Sequence, residues 1–149
     1  MKFSRKKTIN GLFIAVLGVA VMTSCSKYKK YDNNEVVEDT FTGNVAVTSS
    51  GSDPAGDFTG NGDSGTYSFA WENSKKKASL NFDITTPTGS VQFIINDKKG
   101  DEVLNVTRSA GGNDSYSGVS EEGKSGTWLV TIILTDFNGD GSYSIHPGN

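Results

Sequence analysis

The chain has 149 residues with one cysteine, one histidine and 18 glycines. Its formal charge of −3 divides unevenly: residues 1–24 hold four basic and no acidic residues, which leaves ten Lys and Arg against seventeen Asp and Glu, a balance of −7. Such a product disfavours nucleic acid, whose affinity comes from phosphates neutralised by Lys and Arg; one cysteine excludes an internal disulfide, and the 125 residues after the leader make one domain core and not two.

Lys2, Arg5, Lys6 and Lys7 form a positive start, residues 11–22 are an apolar run of twelve, and small polar Thr23 and Ser24 precede Cys25. This is the pattern of a secretory signal peptide over residues 1–24. A permanent membrane-spanning helix needs roughly 20 apolar residues, more than this run supplies.

The junction Met22-Thr23-Ser24-Cys25 resembles the lipobox of bacterial lipoproteins, with Met22 in the place usually held by leucine. The resemblance implies that Cys25 carries diacylglycerol through a thioether, takes up palmitate-class acyl chains and begins the mature chain. At about 0.8 kcal/mol per buried methylene, two or three chains anchor a protein where one holds it only marginally. The implied location is the bacterial cell envelope, and Ser26 after the cysteine suits the outer membrane. An ordinary secreted protein cleaved near Ser24 is the alternative.

Residues 25–40 have no sustained apolar period and read as the lipidated cysteine and a flexible tether. Lys27, Lys29 and Lys30, interleaved with Tyr28 and Tyr31, are placed to meet headgroups. The folded domain is expected over 41–149.

From Phe41 the chain alternates with the period of two that marks strands. Tyr67, Phe69 and Trp71 share one face of a strand, Leu80, Phe82 and Ile84 one face of the next, and the charged turn between them predicts an antiparallel hairpin of 65–72 with 78–86. Pro87-Thr88-Gly89 breaks the chain. Val91, Phe93 and Ile95 pair in a second hairpin with Val103, Leu104 and Val106 across the turn 96–100. Residues 109–126 read as loop with a short strand near Tyr116.

The strongest strand covers 127–135, apolar on both faces and therefore central in its sheet. A last short strand holds Tyr143 and Ile145. Seven to eight short strands and no helical period beyond the leader predict an all-β, antiparallel, jelly-roll-like sandwich. Gly126-Thr127-Trp128-Leu129 with residues 136–144 (DFNGDGSYS) resembles the end of the small jelly-roll accessory domains of pre-peptidase C-terminal type. That resemblance implies a sandwich and no activity.

Three groups of residues are candidates for chemistry. Asp136, Asn138 and Asp140, followed by Gly141, match the front half of a calcium loop, and Ca²⁺ takes six to eight oxygens. Position 12 of that loop is Pro147, so further oxygens would come from Asp53, Asp57, Asn61 or Asp63. Asn138-Gly139 or Asp140-Gly141 supplying a hairpin turn is the competing reading.

Tyr67, Phe69 and Trp71 form either an aromatic platform for sugar rings or part of the core. His146, the one histidine, stands near the C-terminus without an evident nucleophile beside it.

The sequence therefore reads as a membrane-anchored envelope lipoprotein with a non-catalytic domain for binding or assembly, its partner a protein or a glycan. A structural subunit of an envelope complex is the alternative, followed by a calcium-dependent glycan-binding module or a hydrolase.

Overall fold

The computed structural model describes residues 30–48 and 52–149; the leader and Cys25 lie outside them. Seven antiparallel strands form one hydrogen-bonded system: β1 Val36–Asp39, β2 Asn44–Val45, β3 Ala55–Asn73, β4 Lys77–Asn96, β5 Glu102–Ser109, β6 Gly112–Val119 and β7 Gly126–Gly148. Three of these are far longer than an ordinary strand, at 19, 20 and 23 residues, and their pairing shows why.

Residues 65–73 of β3 pair with 126–134 of β7, whereas 55–61 pair with 138–144. Likewise 90–96 of β4 pair with 129–135 of β7, and 77–85 with 140–148. Each long strand bends in the middle and serves two layers. The first layer has the order β1-β3-β7-β4-β5 and the second β2-β3-β7-β4-β6.

The layers face each other across the apolar stripe that the alternation supplies. Phe82 and Phe93, eleven residues apart on β4, stack with ring centroids 4.7 Å apart, which requires β4 to double over. Phe58 of the second layer meets Phe137 at 5.4 Å and Phe93 at 6.2 Å. Leu80, Ile84, Val91, Ile95, Val130, Ile132 and Ile145 are buried between these rings.

The bends coincide with register shifts at 61–65 in β3 and 85–90 in β4. Gly89 (φ 88°) occupies the left-handed region there, and a Cβ on it would run into the Asp136 carbonyl. Asp136 itself has φ 45° at the bend of β7. The buried Thr86 hydroxyl donates to the Asn138 carbonyl at 2.7 Å, tying the β4 bend to β7.

At the other end the layers stand open, closed by loops. Trp71 and Trp128, paired across β3 and β7, meet edge to face at 5.8 Å. Their indole N–H groups donate to the carbonyls of Ser52 (2.9 Å) and Lys124 (2.7 Å). The buried carboxylate of Asp97 accepts backbone N–H bonds from Lys99, Asp101 and Lys124, joining the β4–β5 turn to the β6–β7 loop.

The architecture is the all-β antiparallel sandwich expected from the sequence, with seven strands. The 91–95/103–106 hairpin forms, and the strand near Tyr116 is β6. Four expectations need correction. Residues 65–72 and 78–86 make no hairpin, because β7 lies between β3 and β4 in both layers. Residues 138–141 make no hairpin turn but run on within β7 past its bend at Asp136, paired with β3 and β4, and the expected last strand is the continuation of β7. The tether is shorter than 25–40, since Val36–Asp39 pair with β3 as an edge strand.

Candidate functional site

The outward face of the second layer is where exposed polar groups converge. Register sets its rows: Asp57 of β3, Ser142 of β7, Asp83 of β4 and Ser115 of β6 stand side by side. The next row toward the bend is Thr59, Asp140 and Thr85. All seven side chains are exposed, because at each of these positions the inward neighbour, such as Phe58, Phe82, Ile84 or Tyr143, takes the core side of the pleat.

Asp57, Thr59, Asp83, Thr85, Asp140 and Ser142 line a trough of about 330 Å³. It continues through Asp83 and Thr85 into a second hollow of about 270 Å³ that reaches Asp114 and Ser115. With strands roughly 4.8 Å apart, Asp57 and Asp83 are separated by about 10 Å, and Asp140 sits diagonally between them at about 7–8 Å from each. The trough carries three carboxylates and no cationic side chain.

This surface offers acceptors from Asp and mixed donor-acceptor groups from Ser and Thr. It repels anions and suits a ligand rich in hydroxyl groups. Further along the same face, the Ser117 hydroxyl donates to Asn81 at 2.6 Å. His146 pairs with Ser79 in register and its Nδ1 lies 3.5 Å from Asp53 Oδ1, both side chains exposed.

The three expected calcium residues are only partly brought toward this face. Asp140 joins the trough, whereas Asp136 turns at the bend, where its carboxylate accepts from the Ser64 hydroxyl at 3.2 Å. A calcium loop gathers its oxygens at about 2.3–2.6 Å from one ion, whereas Asp136 is engaged by Ser64 at the bend and does not line the trough that holds Asp140. Among the described residues, no group of three His, Cys, Asp or Glu is close enough to hold a metal ion.

The supplementary residues divide in the same way. Asn61 lies opposite Asn138 and Asp57 lines the trough. Asp63 accepts from the Asn61 N–H at 3.0 Å and the Thr42 hydroxyl at 2.9 Å, and these two bonds hold its carboxyl below the usual range.

The aromatic platform is corrected outright: Tyr67, Phe69 and Trp71 are 6%, 0% and 0% exposed, so their rings are core. Burial also pushes the Tyr143 phenol well above its ordinary range, with Tyr67 and Asp57 adding to the shift. The sequence reading missed Asp83 as a site residue. The alternation Asn81, Asp83, Thr85 marks it as outward-facing, but only pairing through β7 places it beside Asp57 and Asp140.

No family model matches the sequence, and no curated protein matches it. Similar solved structures include TmCBM61 in complex with beta-1,4-galactotriose, 15% identical, with a TM-score of 0.48 over 64% of this chain and 71% of that one. The CBM36-1 domain of a multidomain xylanase from the hindgut metagenome of Trinervitermes trinervoides is 13% identical, with a TM-score of 0.42 over 78% and 99%. A family 29 carbohydrate-binding module complexed with mannohexaose is 15% identical, with a TM-score of 0.39 over 81% and 85%.

Proposed function

We propose that the chain is an envelope lipoprotein, anchored in the outer membrane through Cys25, whose sandwich is a non-catalytic domain binding a neutral, hydroxyl-rich glycan across its second layer. The observation that carries this reading is the trough itself: Asp57, Asp83 and Asp140 with Thr59, Thr85 and Ser142, converging from three strands on one exposed surface. Among the described residues, the exposed large hydrophobics are Val36 and Val119, on different layers. That distribution favours a polar ligand over docking through an apolar patch.

Calorimetric titration with neutral oligosaccharides tests the binding, with beta-1,4-galactotriose and mannohexaose as first probes. Saturable binding is expected, weakened at least tenfold by Asp83→Ala or Asp140→Ala, because a hydrogen bond to a charged group contributes about 1.5–3 kcal/mol. Glu102→Gln, outside the trough, should leave it unchanged. Absence of heat with every oligosaccharide, or wild-type affinity in Asp83→Ala, rejects the reading, and release of new reducing ends would make the domain a hydrolase. Radiolabelled palmitate tests the anchor: no label on the wild type, or equal label on Cys25→Ala, removes it.

A further inference from the structure

Six of the seven basic residues in 41–149 are lysines, at 75–77, 98, 99 and 124, and all lie at the open end of the sandwich. Lys76, Lys98, Lys99 and Lys124 converge from three separate loops on a hollow of about 430 Å³, completed by Gly123 and Ser125. The loops are held in place from beneath. Gly123 N–H donates to the Lys76 carbonyl at 2.7 Å, and Asp97 fixes the backbone of Lys99 and Lys124.

No carboxylate lines the hollow. The acids on the same loops, Asp101, Glu102, Glu121 and Glu122, are exposed and do not line it, Asp97 is buried beneath Gly123 with its carboxylate taken up by backbone N–H groups, and among the described residues none of the four lysines is in an ion pair. The stems of four lysines from three loops line one hollow, and such a local excess of positive charge, unpaired among the described residues, suits an anion.

A second observation says where that anion is met. The Glu72 N–H donates to the Asn33 side chain at 2.8 Å and the Asn34 N–H to the Ala70 carbonyl at 2.7 Å. The chain therefore enters the domain beside Asn73, at the foot of the 74–76 turn that carries Lys75 and Lys76. Cys25 precedes Asn33 by eight residues, a reach of no more than roughly 29 Å when fully extended. Lys27, Lys29 and Lys30 fall within that stretch.

Resting on the lipid-anchor reading above, we infer that the four-lysine hollow is a docking site for the phosphate of anionic membrane lipids, which seats the open end of the sandwich on the bilayer. The carboxylate trough on the second layer lies toward the opposite, bent end. Docking therefore leaves it exposed on the side of the sandwich, at the end remote from the membrane.

The test uses the chain from residue 25 onward with Cys25→Ala, which keeps the whole described core and carries no lipid. It is sedimented with vesicles of phosphatidylethanolamine containing phosphatidylglycerol, and with pure phosphatidylcholine vesicles. Binding is expected to the first only, and to fall as salt is added. At about fivefold per lysine, Lys76→Gln/Lys124→Gln should weaken it on the order of 25-fold, whereas Arg108→Gln, remote from the hollow, should not.

Equal binding to both vesicle types overturns the inference, as does an unaffected double variant whose melting midpoint matches wild type. The latter result would assign the attraction to the tether lysines. Saturable binding of inorganic phosphate by calorimetry without vesicle binding would make the ligand a soluble anion and also overturn it. Palmitate labelling fails independently: absent label with lysine-dependent vesicle binding removes the anchor and keeps the hollow.

Discussion

At the scale of single residues, the fold depends on polar atoms that are buried with one partner each. Tyr143 is 4% exposed, and its hydroxyl donates to the Ala46 carbonyl at 2.9 Å, pinning the segment after β2 onto the second layer. Its phenol is held protonated, first by burial and then by Tyr67 and Asp57. Tyr143→Phe should lower stability by about 1–2 kcal/mol near neutral pH, since the carbonyl loses its donor. A raised folded pKa also fixes the sign at high pH. Below about pH 10, the ordinary tyrosine value, the phenol is neutral folded or unfolded and the contribution is complete. Above it the unfolded chain releases the proton first, so stability falls as pH rises. Urea melts at pH 7, 10 and 11 check this: the wild type should lose stability more steeply than Tyr143→Phe over the last step, and parallel curves would reject the account.

At the scale of elements, the bends matter more than the straight runs. Gly89 and Gly100 have nearly the same φ, 88° and 82°, but a Cβ at Gly89 meets the Asp136 carbonyl, whereas one at Gly100 meets nothing within 4 Å. Gly100→Ala should therefore cost only the left-handed conformation, about 1 kcal/mol. Gly89→Ala adds displacement of β7 and should cost at least about 2–3 kcal/mol. Equal costs by chemical denaturation would remove the bend from the account. The same contrast explains what was legible in the sequence. Val91, Phe93 and Ile95 alternate, and a turn with Asp97 and Gly100 follows, so the β4–β5 hairpin could be read locally. Pro87-Thr88-Gly89 marked a break, but not that β4 crosses between layers there. Asn138-Gly139 and Asp140-Gly141 have turn chemistry yet lie in extended chain, because pairing with β3 and β4 on both sides overrides local preference. The trough was illegible for the same reason: Asp57, Asp83 and Asp140 are far apart in sequence, and only insertion of β7 brings them together.

At the scale of the whole molecule, three strands run through both layers, so neither layer has an independent core. Phe93 of the first layer packs on Phe82 and Tyr143 of the second, and Phe69 of the first on Tyr143. Separating the layers would expose these rings on both, and truncating such a ring to alanine costs about 3–5 kcal/mol. Equilibrium unfolding should therefore be a single transition, with far-ultraviolet circular dichroism and the fluorescence of Trp71 and Trp128 giving the same midpoint and slope. Both tryptophans lie in the first layer, whereas circular dichroism reports both, so a layer that melted alone would separate the two curves. Folding should also be slow for a domain of this size, in milliseconds to seconds. β7 comes last in the chain and is central in both layers, so neither layer can close until residues 126–148 arrive. Stopped-flow refolding of Gly89→Ala tests that order. If the bend of β4 against β7 forms late, the variant should unfold faster and refold at nearly the wild-type rate; a refolding rate that falls with the full loss of stability would place the bend in the nucleus.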